Sequence, residues 1–195
     1  MRAKSAKQRR STAALATEKP TNYLVIGAVV LGIGALALLL YLSIREPGAL
    51  EGLQRFAGLS RGHDEAVTYE EGGLPPVGGT HSGVWQNCGI YDQPIETKNA
   101  VHSMEHGAVW ITYQPELPAD EVARLQNAAR GEPYVLLSPY PGLESPVVLS
   151  AWGIQLVVDS ASDGRIDDFI ERYQLGPQTP ELGATCQDGT GTPLS

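Results

Sequence analysis

The residues best equipped for chemistry in this chain lie together in five positions, His102-Ser103-Met104-Glu105-His106, which hold two of its four histidines and the only methionine after Met1. Imidazole is the commonest side-chain ligand of transition metals, so two of them beside a carboxylate and a thioether read first as a metal site. The backbone decides which of these groups meet. On a strand, side chains alternate, and His102, Met104 and His106 share one face; that set suits copper, Cu(I) above all. On a helix, His102 and His106 still share a face at i,i+4, Met104 points to roughly the opposite side, and Glu105 becomes their neighbour.

The same residues match H-x-x-E-H, the inverted zinc-peptidase motif, in which two helical histidines hold zinc and the glutamate is the general base. That reading needs a helix confined to about 96–106, because Gly107 and the strand-like Ala108–Tyr113 follow at once, and it needs a third ligand from elsewhere. A third histidine, His81, sits in the Gly- and Pro-rich PPVGGTHSGVW, where a loop folding over the His102/His106 stretch would complete a three-histidine site. The remaining one, His63, lies in a polar acidic stretch and reads as solvated. A structural reading stands beside the metal one: His102 and His106 anchor the His81 loop by hydrogen bonds, with Glu105 fixing an imidazole or a backbone group. The metal reading takes His102, His106, His81, Met104 and Glu105 as candidate ligands, with copper favoured over zinc because thioether is a soft ligand. No catalytic residue is assigned. Ser82 and Ser103 lie near histidines but in no G-x-S-x-G elbow, and no G-K-[ST] follows Gly78-Gly79.

These groups need a scaffold, and its elements are legible. Ala108–Tyr113, Tyr134–Ser138 and Val147–Val158, the last broken near Gly153, are rich in β-branched and aromatic residues and predict strands. Residues 118–131 (PADEVARLQNAARG) place Val122, Leu125 and Ala129 on one helical face; residues 163–177 place Ile166, Phe169, Ile170 and Tyr173 on another before Gly176-Pro177 ends the helix. The order predicts an α+β domain with a sheet of 3–5 strands covered by two helices.

Length and charge set the remaining frame. The chain has 195 residues and a net charge of −8, but residues 1–22 carry six bases against one acid, a balance of +5, and the rest carries eight bases against 21 acids, −13. Between the two regimes Tyr23–Ile44 has no charged residue and spans roughly 30 Å as a helix, enough for a bilayer core. The expected organisation is a basic cytoplasmic tail (1–22), a membrane span (23–44), a stalk (45–73), a globular extracytoplasmic domain (74–182) and a polar tail (183–195), oriented by the positive-inside rule. The acidic balance excludes a nucleic-acid partner; the expected partners are the membrane and other subunits of a membrane complex. Cys88 and Cys186 are the only cysteines, lie outside by this topology and are expected to pair.

Several blocks together, P-P-x-x-G-x-H-x-G-x-W (Pro75 to Trp85), G-x-Y (Gly89 to Tyr91), V-H-S-M-E-H-G-A-V-W-I-T-Y (Val101 to Tyr113) and S-A-W-G (Ser150 to Gly153), resemble the bacterial domain of unknown function 3105. The resemblance covers about Leu74 to Leu182 and implies a membrane-anchored or exported domain whose marked positions fall on His81, His102, Glu105 and His106. The family's pattern often has Leu where this chain has Met104, which favours the histidines alone. No activity comes with the resemblance. The expectation is an anchored metal-binding domain, with a non-metal accessory subunit as the alternative and a zinc peptidase third.

Overall fold

The computed structural model describes residues 22–44, 50–70 and 72–194. They fall into two units, helix α1 and residues 50–194, and each is described by itself. The expected basic tail lies outside the described residues apart from Asn22, as does the start of the expected stalk, 45–49.

Helix α1 (Tyr23–Ile44) is 22 residues long and carries no charged residue. Its stretch Tyr23–Leu40 is long and apolar enough to cross a membrane. A helix of this kind near an N-terminus serves as an anchor or as a signal sequence.

The second unit is built on a mixed sheet in the order β1-β6-β5-β3-β4-β2. Its strands are β1 (Gln54–Arg55), β2 (Gly89–Ile90), β3 (Val109–Tyr113), β4 (Val135–Pro139), β5 (Val147–Ala151) and β6 (Ile154–Val158). Three helices accompany them, α2 (Thr97–Glu105), α3 (Ala119–Ala129) and α4 (Arg165–Tyr173). Strands β3 and β4 run parallel with α3 as the crossover, while β5 is antiparallel to both β3 and β6. The long apolar run from Val147 folds back at Trp152-Gly153 to make the β5–β6 hairpin.

The four central strands are apolar on both faces because both faces are covered. Val109, Ile111, Val135, Leu137, Leu149 and Leu156 point one way, onto Leu125 and Ala129 of α3 and Ile166, Phe169 and Ile170 of α4. The alternate positions Trp110, Leu136 and Val148 point the other way, onto Ala100, Val101 and Met104 of α2 and the Cys88–Cys186 disulfide.

Two parts of the architecture differ from expectation. Among the described residues the sheet has six strands, not three to five, and α2 covers a second face in addition to the two expected helices. The extra strands are two residues each, too short to show a period. The described part of the expected stalk is also folded onto the domain. Leu50 and Leu53 pack against the core, β1 pairs with β6, and the Phe56 amide donates to the Gly153 carbonyl at 2.8 Å. Such docking runs through backbone groups, which polar side chains do not reveal. The tail is fixed likewise at several points: beyond the disulfide, the Asn87 amide donates to Thr190 and the Leu194 amide to Ile90, at 2.8 and 2.7 Å.

Candidate metal centre

The H-x-x-E-H residues are helical. α2 begins at Thr97 without a side-chain cap and is followed by His106 as its C-cap, whose amide donates to the His102 carbonyl. The helix is short and held by tertiary contacts. Asn99 Nδ2 donates to the Val84 carbonyl at 2.5 Å, the Ser103 hydroxyl donates to the Gln86 carbonyl at 2.7 Å, and the Gln86 amide donates back to Ser103 Oγ at 3.0 Å. These bonds dock the loop after His81 along α2. Gly107, at φ +112°, then turns the chain into β3 where an added Cβ would lie 2.9 Å from Leu175 Cδ2.

One face of α2 therefore presents His102, Glu105 and His106, and Met104 goes to the opposite side. Met104 is fully buried in the apolar cluster with Trp110 and Leu136, as the helical alternative requires. Its expected place among the ligands is corrected accordingly: the thioether fills core.

Backbone pairing brings in two more imidazoles. His63 and His81 form a parallel bridge, with the His81 amide donating to the Gly62 carbonyl at 3.0 Å and the Asp64 amide to the His81 carbonyl at 2.7 Å. The bend before His81 depends on Gly78, at φ +142°, where a Cβ would meet Leu59 Cδ1 at 2.8 Å and Trp152 at 3.2 Å. The rings of His63 and His102 stack at 4.8 Å between centroids; His81 stands edge-on to both at 4.7 and 4.9 Å, and His106 edge-on to His102 at 4.5 Å. Trp152 and Trp85 close the sides, against His81 and against His102 and His106.

Three of these imidazoles are oriented alike. Nδ1 of His81 donates to the Gly79 carbonyl at 2.8 Å, that of His102 to Ser82 at 2.7 Å, and that of His106 to Thr185 at 2.6 Å. A carbonyl oxygen only accepts, so each Nδ1 carries a proton, and in the neutral ring the lone pair is on Nε2, the nitrogen turned toward the site. Metal-binding histidines are oriented in this way. Burial, ahead of the neighbouring imidazoles, lowers the His102 pKa to about 4 even though its bond to Ser82 acts the other way, so the ring is neutral at neutral pH.

Glu105 completes the inner group. It is 1% exposed; Oε1 accepts from Arg61 Nε at 2.9 Å, and Oε2 lies 2.9 Å from His81 Nε2 and 3.6 Å from His63 Nε2. Despite that approach, His81 Nε2 and Glu105 Oε2 make no hydrogen bond, and both are buried without a partner. Two lone pairs facing each other in a buried site repel unless a proton or a cation lies between them. Ligand atoms on one ion with bonds of about 2.0–2.2 Å are themselves roughly 3 Å apart, which this pair matches.

Two groups of ligand atoms, each within 4.8 Å of one another, result: His63, His81, His102 and Glu105, and next to it His102, His106 and Glu181. Bonds of about 2 Å allow ligand atoms at most about 4 Å apart, so any pair beyond that must close around an ion. The expected three-histidine site is thus split. His81 and His106 belong to different groups, and His102 belongs to both. His63, read from sequence as solvated, is indeed 47% exposed and still reaches the inner group, and Arg61 and Glu181 had no local signal. Arg61 links the two groups, with Nη2 3.7 Å from Glu181 Oε1. Cys88 and Cys186 pair as expected.

A family described as protein of unknown function (DUF3105) matches residues 61–188. The match takes in the centre from Arg61 to Glu181, including the part expected to be stalk. No curated protein and no solved structure matches the chain.

Proposed function

The chain belongs to the DUF3105 family, and on that footing we propose that it is a membrane-tethered protein whose folded domain binds one divalent transition-metal ion through His63, His81, His102 and Glu105. The observation that carries this reading is the buried, unpartnered pair of His81 Nε2 and Glu105 Oε2 facing each other at 2.9 Å. An ion there gives both atoms the partner that no hydrogen bond supplies. The ligands are nitrogen and oxygen only, a set that takes Cu2+ or Zn2+; with Met104 in the core, the softness argument for Cu(I) lapses. Cu2+ outranks Zn2+ on such ligands by the usual order of stability.

The tether is α1, held by its length and hydropathy, with the basic residues before it on the cytoplasmic side. The disulfide is in keeping with an oxidising compartment for the folded domain. A peptidase is disfavoured, because Glu105 is buried and bonded to Arg61, leaving it no position from which to activate water at an open metal site.

The test is metal content. Full-length protein in mild detergent, equilibrated separately with Cu2+ and Zn2+, is expected to retain one ion per chain by native mass spectrometry. His81→Ala and Glu105→Gln should each retain almost none while keeping the disulfide and circular dichroism of the parent. Near-zero metal in the parent would overturn the proposal and leave the histidines as scaffolding of an accessory subunit.

A further inference from the structure

His102 Nδ1 is committed to the Ser82 carbonyl, so this residue has one lone pair, on Nε2, and serves one ion at a time. Ions in the two groups therefore exclude each other. They also differ in coordination. The inner group offers four ligands, which close a tetrahedral site. The outer one, His102, His106 and Glu181, offers three and leaves a position open.

We propose that the outer group is the exchange position of the centre, where an ion shared through His102 meets an incoming or departing ligand before passing to, or after leaving, the inner group. This rests on the metal-binding reading above. Three features support it. His106 is held for the task by its Thr185 bond, with Nε2 3.7 Å from Glu181 Oε2. Each group has one exposed member, His63 at 47% in the inner and Glu181 at 44% in the outer, but the outer carboxylate is thereby open to solvent whereas the inner one, Glu105, is 1% exposed. Arg61 bonds Glu105 and approaches Glu181, so movement of an ion from one carboxylate to the other is matched by a small shift of one half-exposed guanidinium. Exchange of a metal ion between chelators proceeds through a mixed complex, which a three-ligand position allows and a closed four-ligand site does not.

The experiment follows transfer of Zn2+ from the full-length protein in detergent to the chromophoric chelator pyridylazoresorcinol, and the reverse loading from free Zn2+. His106→Ala and, separately, the milder Glu181→Gln are expected to retain one ion per chain at equilibrium while both rates fall at least about tenfold. Unchanged rates in both variants, with one ion retained, overturn the exchange position and leave the inner site standing. Two ions in the parent falling to one in the variants also overturn it, since the groups would then be independent. A parent that holds no zinc and no copper overturns both proposals together.

Discussion

At the level of single residues the centre turns on which nitrogen and which oxygen face inward. Glu105 uses Oε1 for Arg61 and leaves Oε2 toward His81 and His63, so it is the one carboxylate of the inner group. Glu105→Gln keeps the shape, removes the charge and turns an amide toward a metal; affinity is expected to fall at least about 100-fold, read by competition with a chelator of known strength. Arg61→Ala is expected to act in the opposite direction on a smaller scale, since it removes a positive charge about 3 Å from Glu105 Oε1 and leaves the ligands in place. Zinc affinity should rise a few-fold in a low-salt titration; a large fall would show that Arg61 positions Glu105 and that its charge is secondary. Four members of the two groups, His81, His102, Glu105 and His106, were legible from the sequence because they cluster on one helix and one Gly-rich loop. His63 and Glu181 were not, because their places come from a backbone bridge and from a tail loop folded back 75 residues or more along the chain. Met104 was misjudged for the opposite reason: proximity in sequence placed it with the ligands, and the helical turn took it away.

At the level of elements, α2 shows how a helix of nine residues with little intrinsic support is fixed by its surroundings. Ser103 donates to the Gln86 carbonyl and accepts from the Gln86 amide, and it is fully buried. Ser103→Ala takes the hydroxyl from the Gln86 carbonyl, while the Gln86 amide keeps its bond to the Asn99 carbonyl at 3.1 Å; a loss of about 1–3 kcal/mol is expected from urea unfolding, with part of the metal affinity lost as the His81 loop loosens. Helix α4 offers a contrast, since its periodicity was readable and its start is electrostatic. Asp163 Oδ1 accepts from the Arg165 amide at 2.9 Å and the carboxylate holds the Arg165 guanidinium, with Oδ2 2.6 Å from Nη2. Those bonds to Arg165 hold the Asp163 carboxyl below its usual range. The folded form therefore favours the charged carboxylate, and the stability it contributes is present above the ordinary pKa near 3.8 and lost as pH falls through the lower folded value. Asp163→Asn should cost less than about 1 kcal/mol at neutral pH, given the solvent exposure of the pair, and the gap between the two proteins should close in acid unfolding curves below that range. Strands β3 to β6 and helices α3 and α4 were legible because each buries a continuous stripe or run. The two-residue strands and the capless α2 were not, because backbone pairing and buried hydrogen bonds hold them and leave no period in the sequence.

At the level of the whole molecule, the centre and the disulfide are arranged so that one can be tested without the other. The inner group comes from residues 63–105, whereas the outer group draws on Glu181 and, through the Thr185 carbonyl, on the tail that Cys186 ties to Cys88. The bridge spans 98 residues, and closing such a loop is worth about 4–5 kcal/mol on the chain-entropy view. Part of the folded geometry has further support, because the amides of Asn87, Thr190 and Leu194 pair the tail with residues 85–90 independently of sulfur. A Cys88→Ser/Cys186→Ser variant is therefore expected to unfold at lower urea by several kcal/mol yet to keep one metal ion per chain under native conditions. Its exchange with a chelator should change markedly, since His106 and Glu181 lose the anchor that aims them. Loss of the ion itself on removing the bridge would mean that the tail supports the inner group, and that the centre does not divide along the chain into a held site and an exchange position.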